Sequence, residues 1–159
     1  MKEYILTLSL KGTDITRKLA IGENVTFSQL HEIIQILFGW GNQHLHHFKI
    51  GNLVVGDYDD ENDIPVNYTY EGELNLFTVL QNEPEILYEY DFGDSWQVSI
   101  EVIEIKDREV DTLPVVIETH GSMAADDCGG VEGLKSLPVI NVNEEILNFL
   151  LNQYYREKK

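Results

Sequence analysis

Thr26-Phe27-Ser28-Gln29-Leu30-His31-Glu32-Ile33-Ile34-Gln35-Ile36-Leu37-Phe38-Gly39 is the stretch whose reading decides how this chain folds. Thr26 followed three residues later by Gln29 has the form of a capping box, in which each side chain takes up a backbone N–H at a helix start. Val25, just ahead of the cap, is placed to staple onto Leu30. Leu30, Ile33, Ile34, Leu37 and Phe38 then recur at i, i+3, i+4, i+7 and i+8, one apolar face of an α-helix. Gly39 can close that helix in a left-handed conformation. The pattern predicts a helix over 26–38 buried against a sheet.

Upstream, residues 3–10 alternate apolar and polar as a half-buried strand does, unlike the unbroken apolar run of a secretory signal. A Gly12-Thr13-Asp14 turn leads to a second strand over 15–21. Downstream, two short strands over 45–50 and 53–55 flank Gly51-Asn52, and an acidic loop runs from Asp57 to Asp63. A short helix over 74–80 follows, then a hairpin of 85–92 with 96–105. A three-residue loop in that hairpin would set Phe92, Tyr90 and Tyr88 opposite Trp96, Val98 and Ile100 on one face. Residues 113–118 add a strand, and 126–137 a turn and short helix. The last helix, about 143–158, is capped by Asn143, with Glu144 and Glu145 at its start and Arg156, Lys158 and Lys159 at its end. Together these predict one α+β domain over 1–159: a mixed, mainly antiparallel sheet carrying an amphipathic helix, in a β-grasp-like order, with a C-terminal helix.

Composition narrows the function classes. At 159 residues, 43% of them hydrophobic, the chain suits one well-buried core. Cys128 is the single cysteine, which excludes an intramolecular disulfide and a Cys-x-x-Cys zinc pair. No stretch approaches the ~18 apolar residues of a membrane span, so a cytoplasmic location is expected by elimination. The formal net charge is −17, and the few cations are scattered. Nucleic-acid binders neutralise phosphates with clustered cations, so direct nucleic-acid binding is not expected.

Four segments carry polar residues with chemical potential. On a strand, His44 and His46 would share a face, and two imidazoles at i, i+2 can share a divalent metal. Solvated strand-edge imidazoles are the plainer alternative. The acidic loop fails as an EF-hand, because counting from Asp57 the required Gly and Glu positions hold Asn62 and Tyr68. Asp91 and Asp94, in Tyr88-Glu89-Tyr90-Asp91-Phe92-Gly93-Asp94-Ser95-Trp96, can act as ligands or acid–base groups, or simply shape the turn. In Asp126-Asp127-Cys128-Gly129-Gly130 the carboxylates disfavour a thiolate, and the glycines point to close backbone approach.

The ordered set of segments resembles the family named for the third open reading frame of a root-inducing (Ri) plasmid. The matching stretches are Tyr4-Ile5-Leu6-Thr7-Leu8, Arg17-Lys18-Leu19, Thr26-Phe27 with Leu30-His31 and Ile34-Gln35, Gly39-Trp40 with His44-Leu45-His46 and Phe48, the Tyr88 to Trp96 turn, and Asp127-Cys128-Gly129-Gly130 with Gly133. They span roughly residues 4–137. The family is largely uncharacterised, and some members are encoded near mobile elements or called resolvases on that context. Three arginines and no cationic face give a recombinase mechanism no support here. Members commonly carry His where this chain has Val98, and Pro-Pro-Glu where it has Ala124-Ala125-Asp126, so any metal affinity is expected to be weak.

The resulting expectation is a non-catalytic binding or interaction module with a protein or small-molecule partner, its site formed by Trp40, His44, His46, Asp91, Asp94 and Asp127. The alternatives are a metal-dependent hydrolase or nuclease-like enzyme with His44 and His46 as ligands, and an acidic DNA mimic.

Overall fold

The computed structural model describes residues 1–59, 61–80, 85–111 and 113–157. Asp60, Lys158 and Lys159, part of the expected acidic loop and helix end, lie outside the described residues. The first hairpin is β1 (Lys2–Leu10) with β2 (Thr16–Gly22), and the capping-box helix follows as α1 (Phe27–Phe38). Next come β3 (His46–Ile50), β4 (Leu53–Gly56), β5 (Tyr68–Tyr70) and α2 (Leu76–Leu80). The second half holds β6 (Glu85–Tyr90), β7 (Trp96–Asp107), β8 (Val115–His120), α3 (Gly130–Leu134) and α4 (Glu144–Glu157). All eight strands form one sheet in the order β5-β4-β3-β6-β7-β1-β2-β8. Every pairing is antiparallel except β4 with β5, at one edge, so the sheet is mixed and mainly antiparallel as expected.

The helix that organises the reading forms as its sequence dictates. Thr26 Oγ1 accepts from Gln29 N–H at 3.1 Å, Gln29 Oε1 accepts from Thr26 N–H at 2.9 Å, and Gly39 ends the helix at φ 82°. Leu30, Ile33, Ile34, Leu37 and Phe38 are fully buried. They lie in one core with Leu6 and Leu8 of β1, Leu19 of β2, Tyr88 of β6 and Val98 of β7.

Arg17, opposite Leu8, is also in this core and only 1% exposed. Its guanidinium donates to the carbonyls of Leu37, Thr16, His120 and Ser122 at 2.8–3.0 Å and lies over the Phe38 ring. Burial lowers its pKa to about 10. A buried cation at the last turn of α1 complements the helix dipole and fixes where the chain leaves towards Gly39 and Trp40.

One expectation needs correction. The β6–β7 register sets Tyr90 opposite Trp96 and Tyr88 opposite Val98, so the hairpin loop is five residues long and Phe92 does not face Trp96. The predicted inward parity survives, but Phe92 is 40% exposed and rests against the His47 ring instead. The reason is local: Asp91 turns left-handed (φ 59°), and its Oδ1 accepts from the N–H groups of Gly93 and Asp94. That Asx-type turn ends the strand two residues early.

At the β8 edge, α4 does the work of a neighbouring strand. Asn148 accepts from Val116 N–H and donates to its carbonyl, and Glu144 accepts from Thr119 N–H. Covering an edge in this way blunts strand-to-strand association. No helix among the described residues is long and apolar enough to cross a membrane.

Candidate functional site

Three loops meet at one end of the sheet. Because His46 pairs with Tyr90, the residues before β3 and those after β6 emerge side by side, and Asp91 N–H donates to Leu45 O at 2.9 Å. The segment 126–130 is pinned between these loops and the end of α1. Gly41 N–H donates to Asp126 Oδ2 at 2.6 Å, and Gly129 N–H to Asp94 Oδ2 at 3.3 Å. The glycines are steric requirements: a Cβ on Gly130 would stand 2.7 Å from the Asp94 carbonyl oxygen, and one on Gly133 would overlap Cys128 O.

At the centre, His44 Nε2 lies 2.7 Å from Asp127 Oδ1 and 3.6 Å from Asp91 Oδ2. One donor atom from each of the three residues falls within 4.8 Å of the others, a spacing that can hold a metal ion. Asp91 and Asp127 both sit at positive φ, 59° and 56°, a conformation Asp tolerates better than most residues. The Asp91 carboxylate is 12% exposed and that of Asp127 59%, so the cluster opens to solvent on its Asp127 side. Partial burial lowers the His44 pKa, but the hydrogen bond to Asp127 and the charges of Asp91, Asp127 and Asp126 outweigh it and leave the pKa raised.

An aromatic wall backs the cluster. The Tyr90 ring stands 5.7 Å from that of His44 and 5.0 Å from that of Trp40, which also packs on Phe38 and Trp96. Tyr90 Oη accepts from Gln43 N–H at 3.1 Å, and burial together with Asp126 and Asp91 raises its pKa to about 12. Trp40 is therefore a supporting side chain, and Asp94 ties two turns together.

His46 goes elsewhere. Its Nε2 is 2.6 Å from Glu71 Oε1, and its ring stacks on His31 at 3.4 Å and 6°. His31 in turn bonds Tyr88 Oη and Asn42 Oδ1, each at 2.8 Å, while Gln35 donates to Tyr88 Oη and accepts from Asn42 N–H. Burial and the neighbouring His46 lower the His31 pKa to about 4. His44 and His46 thus hold different partners, Asp127 and Glu71. His47 points to the other face, between Tyr58 and Glu89. Val98 is fully buried, paired with Leu10 on one side and Tyr88 on the other. Burial and Asp94 raise the Cys128 pKa, which disfavours a nucleophilic thiolate.

Sequence reasoning did not find His31, Gln35, Asn42 or Glu71. A signal existed for two of them: His31 and Gln35 stand at i, i+4, flanking the apolar face of α1. Glu71 gave none, since its partner lies 25 residues away.

The chain is 29% identical over 122 residues to the uncharacterised protein y4hQ of Sinorhizobium fredii (strain NBRC 101917 / NGR234), covering 75% of this chain and 61% of that protein. It therefore spans less than two thirds of that relative's length. It is also similar to a crystallised protein of unknown function, MM3350 from Methanosarcina mazei Go1, at 31% identity and a TM-score of 0.73, over 84% of this chain and 78% of that one. Residues 2–146 match the plasmid pRiA4b ORF-3-like proteins, and the chain belongs to that family.

Proposed function

We propose that this protein is a binding module whose ligand site is the His44–Asp91–Asp127 cluster and whose ligand is an exchangeable divalent cation. One observation carries the reading: donor atoms from three stretches distant in sequence lie within 4.8 Å of one another. An imidazole with two carboxylates suits first-row divalent ions such as Mn²⁺ and, more tightly, Zn²⁺. The net charge of −17 adds a long-range attraction for cations. Asp94 and Trp40 shape the site from behind. Calorimetric titration with Mn²⁺ and Zn²⁺ tests this. One saturable site, lost in His44→Ala, is expected; no saturable heat, or the same isotherm in His44→Ala, contradicts it.

A metal-dependent hydrolase is the second reading, favoured by the small number of protein donors, which leaves coordination positions for water and substrate. Metal-dependent cleavage of bis(p-nitrophenyl) phosphate that disappears in Asp127→Asn would favour the enzyme over the plain binding module.

A further inference from the structure

Beside Asp126 lies a cavity of about 610 Å³ whose lining includes none of His44, Asp91 and Asp127. Its walls include Met123, Ala124, Leu134, Leu137 and Ile140, and the single charged group among its lining residues is Asp126. The volume falls within the roughly 300–1,000 Å³ of small-ligand sites, which are mostly apolar with a few placed polar groups. Asp126 is held in place by Gly41 N–H on Oδ2 and by the Tyr90 hydroxyl, which donates to its carboxylate, and its Oδ1 is shielded from solvent. The carboxylate is thus fixed in place, and as the one charge among the lining residues it favours a ligand with a charged N–H donor. An anion would meet Asp126 and the net charge of −17 and is disfavoured.

We propose that this cavity binds a small amphiphilic organic cation, an amine whose hydrocarbon part fills the space beside Met123, Leu134 and Ile140 and whose ammonium group meets Asp126. The site is separate from the His44 cluster and does not depend on a metal. It requires only a body of about six to ten carbons, the size that such a volume accommodates.

The test is a ¹H–¹⁵N NMR titration of the whole protein, in EDTA so that the cation site stays out of play, with hexylamine, hexanol and hexanoate as probes. Saturable shifts centred on residues 123–126 and 134–140 are expected, with hexylamine bound about tenfold more tightly than hexanoate. In Asp126→Asn that preference should fall below about twofold while hexanol binding persists. Should Asp126→Asn unfold, Ile140→Trp serves instead: position 140 is 62% exposed, so the change is tolerated, and it fills the cavity and should abolish the shifts for all three probes. The proposal is overturned if hexylamine gives no saturable shifts there, if hexanoate binds as well, or if Ile140→Trp binds unchanged. Shifts confined to residues 44, 91 and 127 would also overturn it, by placing the amine at the cation site.

Discussion

His44 and His46 stand two residues apart and do opposite things. His46 is locked into a closed network: Glu71 on Nε2 at 2.6 Å, His31 stacked on its ring, and Tyr88, Gln35 and Asn42 bonded onward from there. His44 sits in an open cluster, facing two carboxylates whose backbones are both left-handed. The difference shows what to ask of a polar group. Buried polar side chains whose partners are all internal specify the fold and have nothing left for a ligand. Converging donors that open to solvent, held by left-handed turns and glycine contacts, still have coordination capacity to offer a ligand.

The sharpest way to break the comparison is to remove Glu71. Glu71→Ala leaves His46 without its buried partner and should cost about 3–5 kcal/mol in denaturant unfolding. A loss of less than about 1 kcal/mol would mean the network is not structural.

Next in size is the pH response of the closed network. The folded state holds the His31 pKa near 4, below the unfolded value near 6.5, so the unfolded chain binds the extra proton between those limits. The stability contribution is fully present above about 6.5 and is lost as pH falls towards 4, roughly 3 kcal/mol in all. Unfolding curves at several pH values should show that slope in the wild type and a flatter one in His31→Gln; equal slopes would rule out His31 as the cause.

The smallest effect belongs to the open cluster. Asp127→Asn keeps a residue type that tolerates positive φ, and should change stability by no more than about 0.5 kcal/mol. A loss as large as that of Glu71→Ala would make both regions equally structural and remove the contrast.

Much of this architecture was legible in the sequence because its causes are local. The capping box, the 3.6-residue spacing and Gly39 lie within fourteen consecutive residues and give α1 without reference to anything else. The inward faces of β6 and β7 followed from alternation, but the loop length did not, because Asp91 ends the strand with a side-chain turn that alternation cannot register. His44, Asp91, Asp94 and Asp127 were singled out by residue type and motif, and they come together at one end of the sheet. His46 was grouped with His44 because strand parity was the only guide to its direction. Its partners, Glu71 and His31, are set by how the segment around Glu71 and α1 pack, which no local pattern encodes. Arg17 was illegible for a similar reason: four carbonyls from three separate segments make a place for a buried cation.

The central claim is that the open cluster takes a divalent cation and the closed network does not. Paramagnetic broadening of ¹H–¹⁵N NMR signals by substoichiometric Mn²⁺ reads both regions in one titration. Amides of residues 44, 91 and 127 should broaden first, those near His31 and Glu71 should lag, and Asp127→Asn should abolish the selectivity while Asp63→Asn in the exposed acidic loop leaves it intact. Uniform broadening across all acidic surfaces, unchanged by Asp127→Asn, would contradict the account.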